Sequence, residues 1–389
     1  MEEQNRGKGR IGKLIFTVVS SAAVTVLVLY GLCYYMGWTL VSRTEYEAQA
    51  RSYEENEKFL EIQRLLDETY LGEIDRETML DDAYHAMVSA LGDPYTRYLD
   101  KEEMAALSAA VNNQFTGIGV IIQGSEEGLL VLEVIPDGPA MEAGIQVGDI
   151  IVSVEGTKYT DATEAAGIIK GKAGTTVKLV YRRGGVDTEL SVVRGEVISP
   201  SVTWSVQADG TGYLRIKSFA ETTSEEVKSA LEELEKANVK GVVIDLRNNP
   251  GGLFDQGIQV ADLLLPECTI TYTTDRQGTR TDYDSDSQHA SLPYVLLVNE
   301  NTASAAEILT AAVQDNGGTV VGTQTYGKGV VQRSITFQDG TGINITWLEY
   351  FSPTGTKIHG VGIAPDVTAS DDAATEEDEA LQAAVKQLG

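Results

Sequence analysis

A chain of 389 residues is longer than one ordinary folding core and calls for two or three domains. Its formal net charge of −28 argues against a nucleic-acid partner, because neutralising phosphates takes clustered Lys and Arg. With 42% hydrophobic residues and 39 glycines against 9 prolines, the composition is that of a folded, turn-rich chain, and Cys33 and Cys268 are too few for a disulfide framework.

Residues 14–38, "LIFTVVSSAAVTVLVLYGLCYYMGW", run 25 residues without a charge, and a helix of about 20 apolar residues already crosses a bilayer. Arg6, Lys8, Arg10 and Lys13 crowd its N-terminal side. The positive-inside rule then leaves residues 1–13 in the cytoplasm and the bulk of the chain outside it, a single-pass protein of the cell membrane. Tyr34, Tyr35 and Trp38 read as interfacial aromatics. A cleaved signal peptide is the competing reading, but its apolar core would be shorter and end in a small-x-small site, which "MGWTLVS" does not offer.

Residues 39–112 are charged with helical spacing, first Phe59, Ile62, Leu65, Leu66 and then Met79, Ala83, Met87, Leu91, and are expected to form amphipathic helices. "LGDPYTRYL" at 91–99 interrupts them at Asp93-Pro94, and "DKEEMAAL" starts another. The whole stretch reads as stalk and packing.

Residues 113–197 change to short β-like runs, "GIGVIIQ", "LLVLEVI", "DIIVSVEG", "TVKLVYRR" and "TELSVVRG", with one helix near 163–170. The order of strands, the Gly-Pro turn and the Gly148-Asp149 hairpin resemble a PDZ domain. The resemblance implies that a loop in "FTGIGV", residues Gly117, Ile118, Gly119 and Val120, offers N–H groups to the carboxylate of a peptide that adds as a strand.

From 198 to 370 strands and helices alternate: "GYLRIKSF", a helix "SEEVKSALEELEKAN", "GVVIDLRNNPGG", a helix at about 254–265, "YVLLVNE", a helix "SAAEILTAAVQDN" and "TVVGTQTY". A C-terminal helix is expected within 371–389. In open α/β sheets sites form beyond the carboxyl ends of strands, so loops 247–252, 299–305 and 322–329 are the candidates.

"GTQTYGKGVVQ" at 322–332 spells most of a phosphate-binding loop, but Gly329 stands where Ser or Thr should hold magnesium, and no helix opens there. A Ser-His-Asp hydrolase lacks its Gly-x-Ser-x-Gly elbow, and the three histidines, His85, His289 and His359, are scattered. No His-Glu-x-x-His supports zinc, and no metal or cofactor is expected. A desolvated lysine can replace histidine as base, because burial disfavours its charged form. Ser304, in "VNENTASAAEIL", sits where a strand gives way to a helix, and Lys328 sits between two glycines. Taken singly, Ser304-x-x-Glu307 is also a capping box and Lys328 an ordinary solvated turn residue.

"NTASAAEI", "GKGVVQ", "DLRNNPGG" and "YFSPTGTKIHGVGIAPDV" together resemble the carboxyl-terminal processing (tail-specific) proteases, over roughly residues 55–389. That resemblance implies an α+β and α/β multidomain chain in which a crotonase-like layered serine protease core carries an embedded PDZ domain. It also implies a Ser-Lys dyad, with Ser304 as nucleophile, Lys328 as general base and Gln332 orienting the lysine from four residues on along a strand. The N–H groups of Gly252 and Ala305 match its oxyanion hole. The chain departs from the common Ser-Ala-Ser-Ala-Ser-Glu in having Thr302 and Ala306 around Ser304. The implied partners are protein substrates with free, apolar C-termini, and the N-terminal helices suggest self-association. The rival reading is a catalytically silent, membrane-tethered PDZ receptor.

Overall fold

The computed structural model describes residues 2–36, 42–371, 375 and 377–388, and separates into two units, residues 1–80 and 81–389. In the first, helix Glu2–Tyr35 contains the apolar run Phe16–Tyr35, whose large apolar side chains are exposed. A helix that long and apolar suits a signal sequence as well as a membrane anchor. Tyr34 and Tyr35 lie in its last turn, while Trp38 falls outside the described residues. Helix Arg43–Thr69 opens on a capping box in which the Glu45 N–H donates to Ser42 Oγ at 3.2 Å and the Ser42 N–H donates to the Glu45 carboxylate at 2.9 Å. The expected stripe of Phe59, Ile62 and Leu65 is present and exposed.

Helix Arg76–Ser89 leads into the second unit and ends ahead of Asp93-Pro94, as expected from the chain's turn signals. The segment after this turn departs from the expected run of helices. Arg97–Leu99 is a strand, antiparallel to Gly342–Phe351 with Arg97 opposite Asn344 and Leu99 opposite Gly342, so it completes a sheet with residues some 250 positions on. Three residues are too few to display an alternation that sequence could reveal. Helix Lys101–Val111 comes next, capped by Asp100, whose carboxylate accepts the Glu103 N–H at 2.8 Å.

The PDZ block is a five-stranded antiparallel sheet of Val120–Ser125, Gly128–Val134, Ile150–Val154, Thr176–Arg183 and Val186–Val193 in chain order. The expected helix is Ala162–Ile169, started by Asp161, and it packs against the first of those strands. Ile118, Leu129, Ile151, Val154, Val177 and Leu179 form its core. A ribbon of Gln114–Gly117 with Gly195–Ile198 ties its two ends together at the root.

The remaining chain builds a six-stranded sheet in the order Val367–Thr368, Thr319–Gly322, Tyr294–Val298, Val242–Asp245, Gly212–Ile216, Val202–Val206, parallel except for the last. Its strands are apolar on both sides because helices cover both. Ile244, Leu296, Val298 and Val320 face helices Thr223–Lys236, Phe254–Leu264 and Ala305–Asp315. Val243, Val295, Leu297 and Val321 face Ala380 and Ala384 of helix Glu379–Gln387. A second, antiparallel sheet of Thr269–Thr274, Arg280–Asp284, Val330–Thr336 and Gly342–Phe351 is not expected from the sequence pattern, since its strands carry polar Thr, Arg, Asp and Gln beside short apolar runs.

Arg247 fastens the C-terminal helix to the parallel sheet. It is 14% exposed, pairs with fully buried Asp245 at 2.8 Å and with Asp378, ahead of helix Glu379–Gln387, at 2.7 Å, and also reaches Asp371. Burial acts against the Arg247 charge, but these carboxylates outweigh it and push its pKa up, while the Arg247 contact holds Asp378 below the usual carboxylate range against its own burial. Arg247→Ala leaves a buried carboxylate unpaired, and we expect it to lower unfolding stability by about 3–5 kcal/mol, read from urea titrations at neutral pH.

Candidate active site

Strands Val242–Asp245, Tyr294–Val298 and Thr319–Gly322 are parallel neighbours, so the three loops beyond their carboxyl ends emerge side by side. They are stitched together. The Ala303 N–H donates to the Asn249 carbonyl at 2.9 Å, Thr302 Oγ1 donates to the Leu246 carbonyl at 2.8 Å, and the Tyr326 N–H donates to the Thr302 carbonyl at 3.0 Å.

Ser304 stands just ahead of helix Ala305–Asp315 with φ 57° and ψ −120°, a left-handed-side conformation that a non-glycine residue holds only under constraint. The constraint is Glu307. Its side chain is 0% exposed, and it accepts four hydrogen bonds: from the Ser304 N–H at 2.9 Å, the Lys328 N–H at 2.8 Å, the Gly327 N–H at 2.7 Å and Thr325 Oγ1 at 2.6 Å. The capping box expected of Ser304-x-x-Glu307 is therefore present. The Ser304 hydroxyl lies near the Glu307 amide as a cap does, but the 2.8 Å bond of that amide goes to the Ser304 carbonyl. Tyr350 adds a second brace, its hydroxyl lying 3.0 Å from the Ser304 carbonyl oxygen and 2.5 Å from that of Lys328. Burial pushes the Tyr350 hydroxyl well above the usual phenol range, so it stays a donor.

Ser304, Lys328, Gln332, Gly251, Gly252 and Tyr350 line one cleft of about 420 Å³, whose apolar walls include Leu107 and Val111 of helix Lys101–Val111, Phe254 and Ile308. Lys328 is half-buried rather than a solvated turn residue. Burial lowers its pKa from the ordinary lysine value, with the negative charges of Glu307 and Asp93 opposing that fall without reversing it. Among the described residues Ser304 Oγ and Lys328 Nζ do not hydrogen-bond each other, a separation common in catalytic pairs before substrate arrives.

Gln332 shares the cleft but does not reach Lys328: its amide nitrogen donates weakly to Thr346 Oγ1 at 3.3 Å and to the Val330 carbonyl at 3.4 Å. The expected four-residue offset along one strand does not apply, because strand Val330–Thr336 begins after Lys328 and its register shifts between Val331 and Gln332.

Gly251 and Gly252 are required by close approach. A Cβ on Gly252, whose φ is 147°, would lie 2.2 Å from the Phe219 carbonyl oxygen, and one on Gly251 would lie 2.7 Å from Ser304 Cβ. Phe219 holds the loop through its N–H to Gly251 O at 2.9 Å, and buried Asn249 accepts the Gly251 N–H at 2.8 Å. Among the described residues the N–H groups of Gly252 and Ala305 have no protein acceptor. The same holds for Ile118 and Gly119 of the PDZ loop, whose carbonyls are taken by the N–H groups of Ala140 and Ile135 at 2.7 and 2.9 Å. Gly117, Ile118, Gly119 and Val120 border a small cavity that runs to Ala166 and Ile169, although the Ile118 side chain itself belongs to the PDZ core.

Three residues at the site are not marked as functional by the sequence. Glu307 is visible there only as a cap, although a lone acid within the apolar run "SAAEILTAAV" signals a paired buried charge. Tyr350, on strand Gly342–Phe351, and Tyr95, whose ring centroid lies 4.8 Å from Lys328 Nζ, come from elements distant in sequence, and no local pattern marks either.

The sequence model of peptidase family S41 matches residues 210–369, that of a PDZ domain residues 130–183, and that of the N-terminal domain of the activating protease CtpB residues 35–103. A "Probable CtpA-like serine protease" of Staphylococcus haemolyticus (strain JCSC1435) is 31% identical over 361 residues, covering 91% of this chain and 71% of the relative. A carboxyl-terminal-processing protease of Picosynechococcus sp. (strain ATCC 27264 / PCC 7002 / PR-6) is 38% identical over 301 residues, covering 74% and 72%. Among solved structures, a photosystem II D1 C-terminal processing protease is 33% identical, covering 83% of this chain and 90% of its own, with a TM-score of 0.49.

The chain belongs to peptidase family S41, the C-terminal processing proteases that carry a PDZ domain. It is a serine-type peptidase acting on protein substrates, built from an N-terminal helical domain, a PDZ domain and an α/β protease core, with one apolar helix near its N-terminus. The silent-receptor rival is thereby set aside.

Replacing the Glu307 carboxylate tests the hub. Glu307→Gln keeps the shape but turns an amide NH₂ toward two of the four donors. We expect a loss of about 1–3 kcal/mol of stability per donor left unpaired, together with a fall of more than about tenfold in kcat/KM as the Ser304 and Lys328 backbones part. Wild-type kinetics and melting in this variant would remove Glu307 from the role described.

Proposed function

We propose that this protease is a single-pass, membrane-anchored endopeptidase working outside the cytoplasm, with residues 14–38 as its anchor, 113–197 as a receptor for substrate tails and 198–370 as the peptidase. Ser304 is its nucleophile and Lys328 its base. The observation that carries the chemistry is the convergence of Ser304 and a half-buried Lys328 on one cleft, their backbones joined through the Glu307 carboxylate.

The neutral Lys328 amine takes the Ser304 proton as Oγ adds to the scissile carbonyl carbon. The resulting oxyanion meets the N–H groups of Gly252 and Ala305, the second at the positive end of a helix, and both are free of protein acceptors among the described residues. The ammonium then returns its proton to the departing amine, and water, activated by the same amine, releases the acyl group. Gln332, which lines the same cleft, is the proposed orienter of the lysine.

Tail selection is supported by the PDZ block. Among the described residues Val120–Ser125 is an edge strand, paired only with Gly128–Val134, and helix Ala162–Ile169 lies beside it. A C-terminal segment adds there as a strand, its carboxylate on the open N–H groups of Ile118 and Gly119. The anchor is supported by the uncharged run and the four basic residues ahead of it.

Ser304→Ala and Lys328→Ala are each expected to lower kcat/KM on an unfolded protein substrate by at least about 10³-fold with folding intact, and losing both should cost little more than losing one. Lys328→Arg should be equally inactive, since a guanidinium stays protonated. The wild-type rate should rise with pH as a lysine whose pKa lies below its ordinary value deprotonates, and the rise should survive replacement of all three histidines by Gln. Near-wild-type turnover by either alanine variant would end the dyad assignment.

For the receptor, a substrate whose C-terminus is amidated keeps its side chains and loses its charge. Binding through the carboxylate predicts a loss of about 1.5–3 kcal/mol in kcat/KM at sub-saturating concentration. Equal cleavage of free and amidated tails would refute tail selection and leave the dyad standing.

A further inference from the structure

The segment Asp93–Leu99, part of "LGDPYTRYL" and expected from sequence only to break a helix, enters the active site. Its Asp93 carboxylate accepts the Tyr95 N–H at 3.0 Å and Thr96 Oγ1 at 2.6 Å, which closes a tight turn. The turn is pinned to the protease sheet from outside: the Thr346 N–H donates to Thr96 Oγ1 at 3.0 Å, the Asn344 amide reaches the Tyr95 carbonyl, and Arg97–Leu99 pairs with the strand Gly342–Phe351. The result is that the half-buried Tyr95 ring lies under the Lys328 amine, with Nζ 4.8 Å from the ring centroid, and this ring is the one aromatic face over which Lys328 sits among the described residues.

We infer that Tyr95 is a positioning residue of the protease: its ring covers one side of the Lys328 amine, keeps water from that side and holds the amine at the cleft. The inference rests on the reading of Lys328 as the base. A covered amine gives up its proton more readily than one in water, so the cover sets the pH at which the base is ready.

Other groups also face the amine. Glu307 from helix Ala305–Asp315 and Asp93 from the turn itself favour the charged form. Tyr326 from the lysine's own loop engages the Tyr95 hydroxyl, whose pKa burial and that contact push up to about 12. Tyr350 holds the Lys328 carbonyl, the His359 main chain backs Gly329, where a Cβ would lie 2.3 Å from its backbone nitrogen, and the His359 ring lies edge-on to Tyr95 with centroids 6.3 Å apart. The ring face attracts a cation as well, against the effect of its cover. The two effects are separated by choosing what replaces it. Phe keeps both, Leu keeps the cover without the π-face, and Ala removes both.

The experiment measures kcat/KM and kcat on a peptide substrate from neutral to alkaline pH for the whole chain carrying Tyr95→Phe, Tyr95→Leu or Tyr95→Ala, with near-ultraviolet circular dichroism to check the fold. The Phe variant should keep the wild-type base limb, and the Leu variant should place it no higher. The Ala variant should move it upward by about one pH unit, losing about tenfold at neutral pH and recovering on the alkaline side, with KM little changed. An unmoved limb in the folded Ala variant, whether or not the rate falls at every pH, overturns the inference, as does a limb raised equally by Leu. Lys328→Ala measured alongside keeps the two failures apart: if that variant still cleaves, the base reading has failed, whereas an inactive lysine variant with an unmoved Ala limb sinks only the role of Tyr95.

Discussion

The candidate active site depends on one buried carboxylate. Glu307 lies one turn into a helix whose residues from Ala305 to Val313 are all buried, an environment in which an unpaired charge is costly. It is offset by four donors, and these belong to the two segments that must be kept in register: the turn at Ser304 and the loop Thr325–Lys328. Because the carboxylate accepts the Ser304 N–H, the strained backbone of Ser304 is held from within the protein and its side chain is left to the cleft.

That hub can work only because the sheet brings its parts together. Parallel neighbours with helices on both faces send their loops out at one edge, and the apolar alternation of Val242–Asp245 and Tyr294–Val298 fixes which residues face which layer. Arg247 and Asn249, consecutive but for Asn248, face opposite duties in the same loop. One ties the C-terminal helix down through Asp378, and the other braces the Gly251-Gly252 turn.

The root of the PDZ block meets this machinery directly. Asn113, in the left-handed region, exchanges hydrogen bonds with Ser218 at 2.8 and 3.0 Å, and the next residue, Phe219, is the one that grips Gly251 and approaches Gly252. The ribbon of Gln114–Gly117 with Gly195–Ile198 begins at that point. A chain of side-chain and backbone contacts therefore runs from the base of the PDZ block to the loop beside Ser304.

Much of this is legible in the sequence. Periodicity marks the helices near 163–170, 254–265 and 305–315 and the apolar strands of the parallel sheet, because such elements advertise their buried faces locally. Ser304 and Lys328 are picked out by the family resemblance of the motifs around them rather than by residue type alone, and the apolar run of residues 14–38 by its length. The tertiary structure decided what local pattern does not encode. It turned Glu307 from a cap into the tie between two loops and moved Gln332 off the lysine through a shift in strand register. It also carried Tyr95 across some 230 residues of chain to the face of Lys328. Secondary structure comes from the spacing of neighbours along the chain, whereas the surroundings of a buried charge are set by whichever distant segments the packing brings against it.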